Sequence, residues 1–399
     1  MNRDKMHVMF LPRWYPDRYD PMLGLFVRRH AEAAALFNRI SVVYVSPSQS
    51  ATDGWFETVR TEEPNLLTYN IYYRKFKGNK LLQKLFNNLV FFVALMRGMK
   101  QLMAEWGRPD LIHVHILTRL ALPAFWLKKL WGIPYIITEH WSRYLPGRNE
   151  FKGYFRKKLT KKLIAHSDRI TVVTSDLYKA MVELGLYHNN YCVLPNVVDL
   201  ELFKPTERIA DRRVRMIHIS CFEDKSKNIS GLLRVFKSLS KQKYDFECVL
   251  VGDGMDHATL VKYAEQLEFP EGQIRFTGIL EGEKLAAELS DADFLVLFSR
   301  YENMPVVILE ALACGIPVVA SAVGGIPEIV NENNGMLVDH TSEYAMESAL
   351  YYMMHSYTKF PKSSLRAVVE NKYGRDAVGA LLNKWYREAM ARNGSKPSV

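Results

Sequence analysis

Glu302 and Glu310, with seven residues between them, lie within Ser-Arg-Tyr-Glu-Asn-Met-Pro-Val-Val-Ile-Leu-Glu-Ala-Leu-Ala-Cys-Gly-Ile-Pro-Val-Val-Ala-Ser, residues 299–321, a stretch that is otherwise mostly apolar. A carboxylate can accept hydrogen bonds from two vicinal hydroxyls, as a ribose offers. Buried among valine, isoleucine, leucine and alanine, it is costly unless a partner or ligand satisfies it. The surrounding pattern supplies a second chemistry. It predicts a strand over Phe294–Phe298, a loop, a helix opening at Pro305 and stopping at Gly315, and a new buried strand over Pro317–Ala320. Proline suits the first helical turn and glycine the position past the last. Such a start leaves the amides of about Met304–Val307 unpaired, a span that includes Pro305 and Val306. Together with the helix dipole they attract an anion such as a diphosphate. Glu302 falls in the loop beside that site and Glu310 about a turn and a half into the helix. Taken singly, each glutamate reads as a helix cap or a solvated side chain; the pair in this apolar frame reads as a site.

The elements that must position these residues follow the same pattern. Val-Leu-Val-Gly-Asp-Gly (249–254), Ile-Arg-Phe-Thr-Gly (274–278) and Val-Gly-Gly-Ile-Pro-Glu-Ile-Val (323–330) place further strand exits and glycine loops around the first. Ligands of open α/β sheets bind at that edge. Residues 299–321 resemble the signature of the retaining, nucleotide-sugar-dependent glycosyltransferases of family 4, and the loop at 323–330 is similar to one the family also carries. The resemblance implies an α/β chain with two Rossmann-like domains facing a cleft, the GT-B fold, and a C-terminal helix crossing back to the first domain.

A chain of 399 residues exceeds the usual size of a single core. Buried runs at Ile40–Val45, Leu111–Val114, Tyr135–Thr138, Ile170–Val173 and Cys248–Val251 alternate with helical stretches, the pattern of parallel sheets covered on both faces. The expected division is residues 1–200 as an acceptor-side domain, completed by 376–399, and 201–375 as a nucleotide-sugar-binding domain. Leu-Pro-Asn-Val-Val-Asp-Leu-Glu-Leu-Phe-Lys-Pro (194–205) is similar to the family's interdomain connection. Cys192, Cys221, Cys248 and Cys314 form no Cys-x-x-Cys pair and read as small core residues of a reducing compartment. Pro12 and Arg13 interrupt the short apolar run at the N-terminus, and no run reaches the ~20 residues of a membrane span, so the expectation is a cytoplasmic protein.

Charge separates the halves. Residues 1–200 carry 29 Lys and Arg against 16 Asp and Glu, and the remainder carries 24 against 27. The positive charge concentrates at Arg74–Lys84, which leads into the apolar Leu85–Met96, and at Lys152–Lys162, interleaved with Tyr154, Phe155 and Leu159. Cations mixed with aromatics suit the anionic inner face of a membrane or a lipid diphosphate. A solvated helix face is the alternative; no nucleic-acid motif accompanies the charge, and no nucleic-acid partner is expected.

In the first half, a strand passes through a proline-rich loop (10–24) to a helix at about Leu25. By the resemblance, Gly24 is the glycine whose backbone approaches the donor diphosphate, and His140, in Ile-Ile-Thr-Glu-His-Trp-Ser-Arg (136–143), lies close to the transferred sugar. His115 is open between a structural and a functional reading, and His113 reads as buried. Lys227 matches the lysine that meets the diphosphate. The arginine the family carries shortly before it is missing here, where Cys221 or Phe222 stands; either Lys225 substitutes for it or Lys227 and the amides of the helix at Pro305 hold the anion alone. No zinc-ligand spacing occurs, and Asp291 and Asp293 read as the end of a helix and the start of a strand, so neither a metal nor another cofactor is expected. The implied function is transfer of a sugar from a nucleotide sugar to a hydroxyl of a glycan or lipid-linked acceptor with retention. In this reading Glu310 holds the ribose, Lys227 and the helix at Pro305 hold the diphosphate, and Glu302 and His140 hold the sugar. A nucleotide-sugar 2-epimerase and a non-catalytic partner protein of the same fold are the alternatives; the second would have lost Glu302 or Lys227.

Overall fold

The computed structural model describes residues 5–49, 54–76, 78–117, 119–145, 150–207 and 213–394. The chain forms two compact units. The first comprises Met1–Val173, Tyr178–Val197 and Arg375–Val399, and the second Thr174–Leu177 and Val198–Gly374.

Unit 1 runs β1 (His7–Pro12), α1 (Leu25–Ala35), β2 (Arg39–Pro47), β3 (Phe56–Glu63), β4 (Leu66–Tyr73), α2 (Lys80–Trp106), β5 (Leu111–His115), α3 (Ala121–Trp131), β6 (Tyr135–Glu139), α4 (Tyr154–His166), β7 (Arg169–Val172), α5 (Ser175–Glu183, its first turn belonging to unit 2) and β8 (Tyr191–Val193). The strands form one eight-stranded sheet in the order β3-β4-β2-β1-β5-β6-β7-β8. All neighbours are parallel except β3 and β4. Every residue of β1, β5 and β6 is buried, which is why these strands read as unbroken apolar runs.

Unit 2 runs β9 (Val214–Ile219), α6 (Asp224–Lys227), α7 (Ile229–Lys241), β10 (Phe246–Val251), α8 (His257–Gln266), β11 (Ile274–Gly278), α9 (Gly282–Ser290), β12 (Phe294–Leu297), α10 (Val306–Ala313), β13 (Val318–Ser321), β14 (Gly335–Val338), α11 (Glu343–Ser356) and α12 (Lys362–Tyr373). Its six strands are all parallel, in the order β11-β10-β9-β12-β13-β14. Sequence order therefore reverses between β9 and β12. The loops leaving these two strands are the ones a doubly wound sheet spreads apart to admit a ligand.

The last helix, α13 (Arg375–Gly394), belongs to unit 1. Val378, Leu382, Trp385, Tyr386 and Ala389 share one core with Val27, Ala31 and Ala34 of α1. Full burial of a leucine or valine contributes about 1.5–3 kcal/mol. The two helices approach so closely that a Cβ on Gly379 would stand 2.3 Å from the Ala33 carbonyl oxygen. Tyr386 is fully buried, and its hydroxyl meets His113 Nδ1 at 2.8 Å, which fastens the helix to β5.

Candidate active site

In unit 2 the loops leaving β9 and β12 bring two charges together. Lys227 Nζ donates to Glu302 Oε1 at 2.5 Å, and Ser299 Oγ donates to the same oxygen at 2.8 Å. The two charged side chains are 16% and 8% exposed. Burial alone pulls the Lys227 ammonium down, but the Glu302 carboxylate, through charge and hydrogen bond, outweighs it and holds the lysine above its ordinary 10.5. Arg300 ties the loops together. Its amide donates to the Ser226 carbonyl at 2.7 Å, and its guanidinium donates to the Asp224 carbonyl at 2.8 Å and to Asn228 Oδ1. Ser299 and Arg300 lay inside the sequence motif, but the partners of Arg300, more than 70 residues upstream, come into reach only through the strand order.

Helix α10 begins one residue later than the pattern predicts. Pro305 is its N-cap, with φ −69° and ψ 114°, so the proline stands just outside the first turn. Proline has no N–H to offer, and Met304 is a buried side chain. The amides of Val306 and Val307 are the ones in this turn without a hydrogen-bond partner among the described residues, and the helix dipole reinforces them. Glu310 is 6% exposed, within a helix whose residues from Ile308 to Ala313 are all buried. At the other end of α10, Arg366 of α12 donates to the Ala313 carbonyl at 3.0 Å and to the Leu200 and Phe203 carbonyls at 3.0 and 2.8 Å. A cation at a helix C-terminus opposes the local negative charge and holds the helix in place.

The glycine loops have a nearer purpose than ligand approach. Gly324 has φ +55°, and a Cβ there would stand 2.0 Å from the Glu302 carbonyl oxygen; at Gly325 it would stand 2.5 Å from that of Asn303. The Gly325 amide donates to the Asn303 carbonyl at 2.8 Å. Residues 323–325 thus cradle the backbone that carries Glu302. Gly252 likewise lies against the Ser220 carbonyl oxygen, 1.9 Å from the position of an added Cβ, and supports the loop leading to Lys227. In that loop Phe222 is fully buried and stacks on His257 with 5.5 Å between ring centroids, while Lys225 is exposed. Cys221 is exposed, not a core residue as its apolar neighbourhood suggests, because Phe222 takes the inward position. Asp291 pairs with Arg215, and Asp293 Oδ2 accepts the Arg215 amide at 2.8 Å, at the start of β12 and away from the edge that carries Lys227 and Glu302.

In unit 1, His140 directly follows β6 and is 8% exposed. Its loop is set by Glu139, fully buried, whose carboxylate accepts the amides of Leu117, His140 and Trp141 at 2.8–2.9 Å. Burial drives the Glu139 pKa up against the pull of those donors. His140 Nε2 lies 3.2 Å from His115 Nδ1. His30 of α1, which the sequence does not single out, completes the group: His30, His115 and His140 offer nitrogens that all lie within 4.8 Å of one another. No ligand spacing announces this cluster, because its members come from three separate elements. His30 Nε2 bonds the Pro195 carbonyl oxygen at 2.9 Å, which fixes the proton on that nitrogen. Burial pushes His30 down to about 4 and His115 and His140 well below the ordinary range, which favours the neutral imidazoles. His113 is fully buried between Tyr386 and Thr138 and is structural. Gly24 caps α1 at φ +68°. The space its Cβ would fill is taken by the Trp14 backbone, 2.3 Å away, so the loop itself already demands glycine here.

Residues 18–202 match the family described as Glycosyltransferase Family 4, and residues 201–373 match Glycosyl transferases group 1. The chain belongs to glycosyltransferase family 4. Among its relatives are the N-acetyl-alpha-D-glucosaminyl L-malate synthase of Bacillus anthracis, 26% identical over 66% of this chain and 69% of that one, and the putative teichuronic acid biosynthesis glycosyltransferase TuaC of Bacillus subtilis, 24% identical over 88% and 90%. Among solved structures, the sucrose-phosphate synthase of Thermosynechococcus elongatus superposes with a TM-score of 0.75 at 19% identity, covering 97% of this chain and all of that one. The Anabaena protein HepE, solved with UDP, gives 0.68 at 14% identity over 96% and 100%. The two parallel-sheet units of this glycosyltransferase are those of the GT-B fold. Among its described residues, no helix is long and apolar enough to cross a membrane.

Proposed function

We propose that this glycosyltransferase moves a sugar from a nucleotide diphosphate to a hydroxyl of a glycan or lipid-linked acceptor, with retention at the anomeric carbon, in the synthesis of a polysaccharide or glycoconjugate. The observation that carries the reading is the meeting of Lys227 and Glu302 at the sheet's switch point, beside the open amides of Val306 and Val307 and the buried Glu310. Lys227 and the amides take the diphosphate and Glu310 takes the ribose. Glu302 takes the sugar. No metal is needed to meet the charge of the leaving group, because an ammonium and oriented backbone dipoles supply preorganised compensation. That a solved neighbour binds UDP and a relative is named for teichuronic acid biosynthesis supports the donor and product classes.

Retention by double displacement requires a free carboxylate at the anomeric carbon. Glu302 Oε1 already accepts from Lys227 and Ser299, which blunts it as a nucleophile. This favours reaction on one face: the bond from the anomeric carbon to the phosphate oxygen breaks, the acceptor oxygen bonds to that carbon from the same side, and the departing phosphate oxygen takes the acceptor's proton. Mass spectrometry of the products from a panel of UDP-, GDP- and ADP-sugars tests the reading. Acceptor-dependent transfer from one donor is expected, and turnover with none of them overturns it.

A further inference from the structure

Unit 1 contains a cavity of about 470 Å³ whose wall carries Arg13, Lys84, Arg119, Arg143 and Arg156 and, among the described residues, no acidic side chain. Arg13 follows β1, Arg119 precedes α3, Arg143 follows β6, Lys84 is on α2 and Arg156 on α4. Arg13, Arg119 and Arg143 are half-buried, and each has a buried Nε without a hydrogen-bond partner. Their other contacts are to neutral groups. Arg119 donates to Asn88 Oδ1 at 2.6 Å and lies over the Phe91 ring, and Arg143 and Arg13 lie over Trp141. Burial lowers the pKa of all three, and repulsion adds to it: Arg13 acts on Arg119, and Arg156 and Arg13 act on Arg143. The carboxylate that Arg13 and Arg143 both feel is Glu139, whose oxygens are engaged by three backbone amides. Planar guanidinium forks gathered this closely suit the oxygens of a phosphate or diphosphate.

The helices that line this cavity also expose apolar side chains. On α2, Leu82, Leu85, Leu89, Val93 and Met96 recur at helical spacing and are between 48% and 67% exposed. On α4, Tyr154 and Phe155 are 72% and 85% exposed beside the exposed Lys157 and Lys158. An apolar face next to cations is what an anionic lipid surface receives.

We propose that the cavity holds the phosphate or diphosphate of a lipid-borne acceptor, with the lipid chain lying along the exposed faces of α2 and α4. This rests on the glycosyltransferase reading and names the chemical class of its acceptor. The test is calorimetry on the full chain with farnesyl diphosphate and inorganic pyrophosphate, each in the presence of enough nucleoside diphosphate to saturate the unit 2 site. Farnesyl diphosphate should bind at least about tenfold more tightly than pyrophosphate, since several buried methylenes contribute. The double variant Arg119→Gln/Arg143→Gln should weaken both by about a hundredfold while nucleoside diphosphate affinity and melting temperature stay put. Arg119→Lys/Arg143→Lys should retain part of the binding. Failure of farnesyl diphosphate to bind, or indifference to the glutamine pair, overturns the proposal. Equal affinity for the two probes overturns the lipid assignment in favour of a soluble phosphate. Should nucleoside diphosphates themselves fail to bind, the donor site is refuted instead, and the two failures are thereby told apart.

Discussion

Replacing Lys227 by Met and Glu302 by Gln separates what the buried ion pair does for the fold from what the lysine does for a ligand. At the observed 2.5 Å and an effective dielectric of about 20, the attraction is roughly 6–7 kcal/mol. Taking two such ions out of water costs several kcal/mol each, so the pair comes close to breaking even. Removing one partner strands the other, and each single variant should lose about 3 kcal/mol of stability. The double variant should lose less than the sum, with a coupling of about 2 kcal/mol in a double-mutant cycle. The pKa of Lys227 is raised on folding, so its contribution is fully present below about 10.5 and is lost as pH climbs through the higher folded-state value. Wild type and Lys227→Met should therefore converge in stability at strongly alkaline pH. Nucleoside diphosphate affinity should split the pair in the opposite sense. Lys227→Met removes the cation and weakens binding by about 2–3 kcal/mol, roughly thirty- to 150-fold, whereas Glu302→Gln frees the ammonium from its competitor and leaves binding unchanged or tighter. Thermal denaturation and titration calorimetry read both quantities. If Glu302→Gln weakens the nucleotide as much as Lys227→Met does, the division of roles between the two side chains is wrong.

Glu310→Gln should weaken nucleoside diphosphate binding by about 1.5–3 kcal/mol with the fold intact, as a charged acceptor for the ribose is lost; unchanged affinity by calorimetry removes Glu310 from the site. Gly324→Ala forces a Cβ onto the Glu302 carbonyl at a positive φ, and should lower stability by about 2 kcal/mol or more, with a drop in transfer; a melting temperature equal to wild type contradicts it. Sugar transfer should persist in EDTA, and activity that is lost and then restored by Mn²⁺ or Mg²⁺ contradicts the assignment of diphosphate charge to Lys227 and the α10 amides. Neutralising Lys157, Lys158, Lys161 and Lys162, all exposed on α4, should reduce sedimentation with anionic liposomes, and salt should imitate the mutation because exposed charges are screened over about 8–10 Å; binding equal to the parent shows the patch to be a solvated face.

The buried parallel strands were legible because both of their faces are covered, so β1, β5, β6 and β12 read as apolar runs whatever their neighbours are. The polar strand β3 was not legible: it is the antiparallel edge of the unit 1 sheet, most of its residues face solvent, and no pattern separates it from a loop. Glu302 and Glu310 were legible as a pair because both lie within one loop and the helix that follows it. The contact of Glu302 with Lys227 was not, since it depends on β9 and β12 being neighbours in a sheet whose sequence order reverses between them. The histidine cluster failed to show for the same reason. His30 sits on a helix after two arginines, and only the packing of α1 over the ends of β5 and β6 makes it a partner of His115 and His140. The glycines at 24, 252 and 324 were recognised as special, but sequence could not tell a close approach to a ligand from a close approach to the neighbouring backbone, and the backbone contact is the one present.

The most direct test of the central claim is proton NMR of the product formed from an α-linked nucleotide sugar and a hydroxyl acceptor, run alongside the donor alone. Sugar transfer on one face predicts an acceptor-dependent product whose anomeric proton keeps the small coupling of the α configuration, with little turnover of donor by itself. A β-configured product, or a 2-epimer formed without any acceptor, contradicts it.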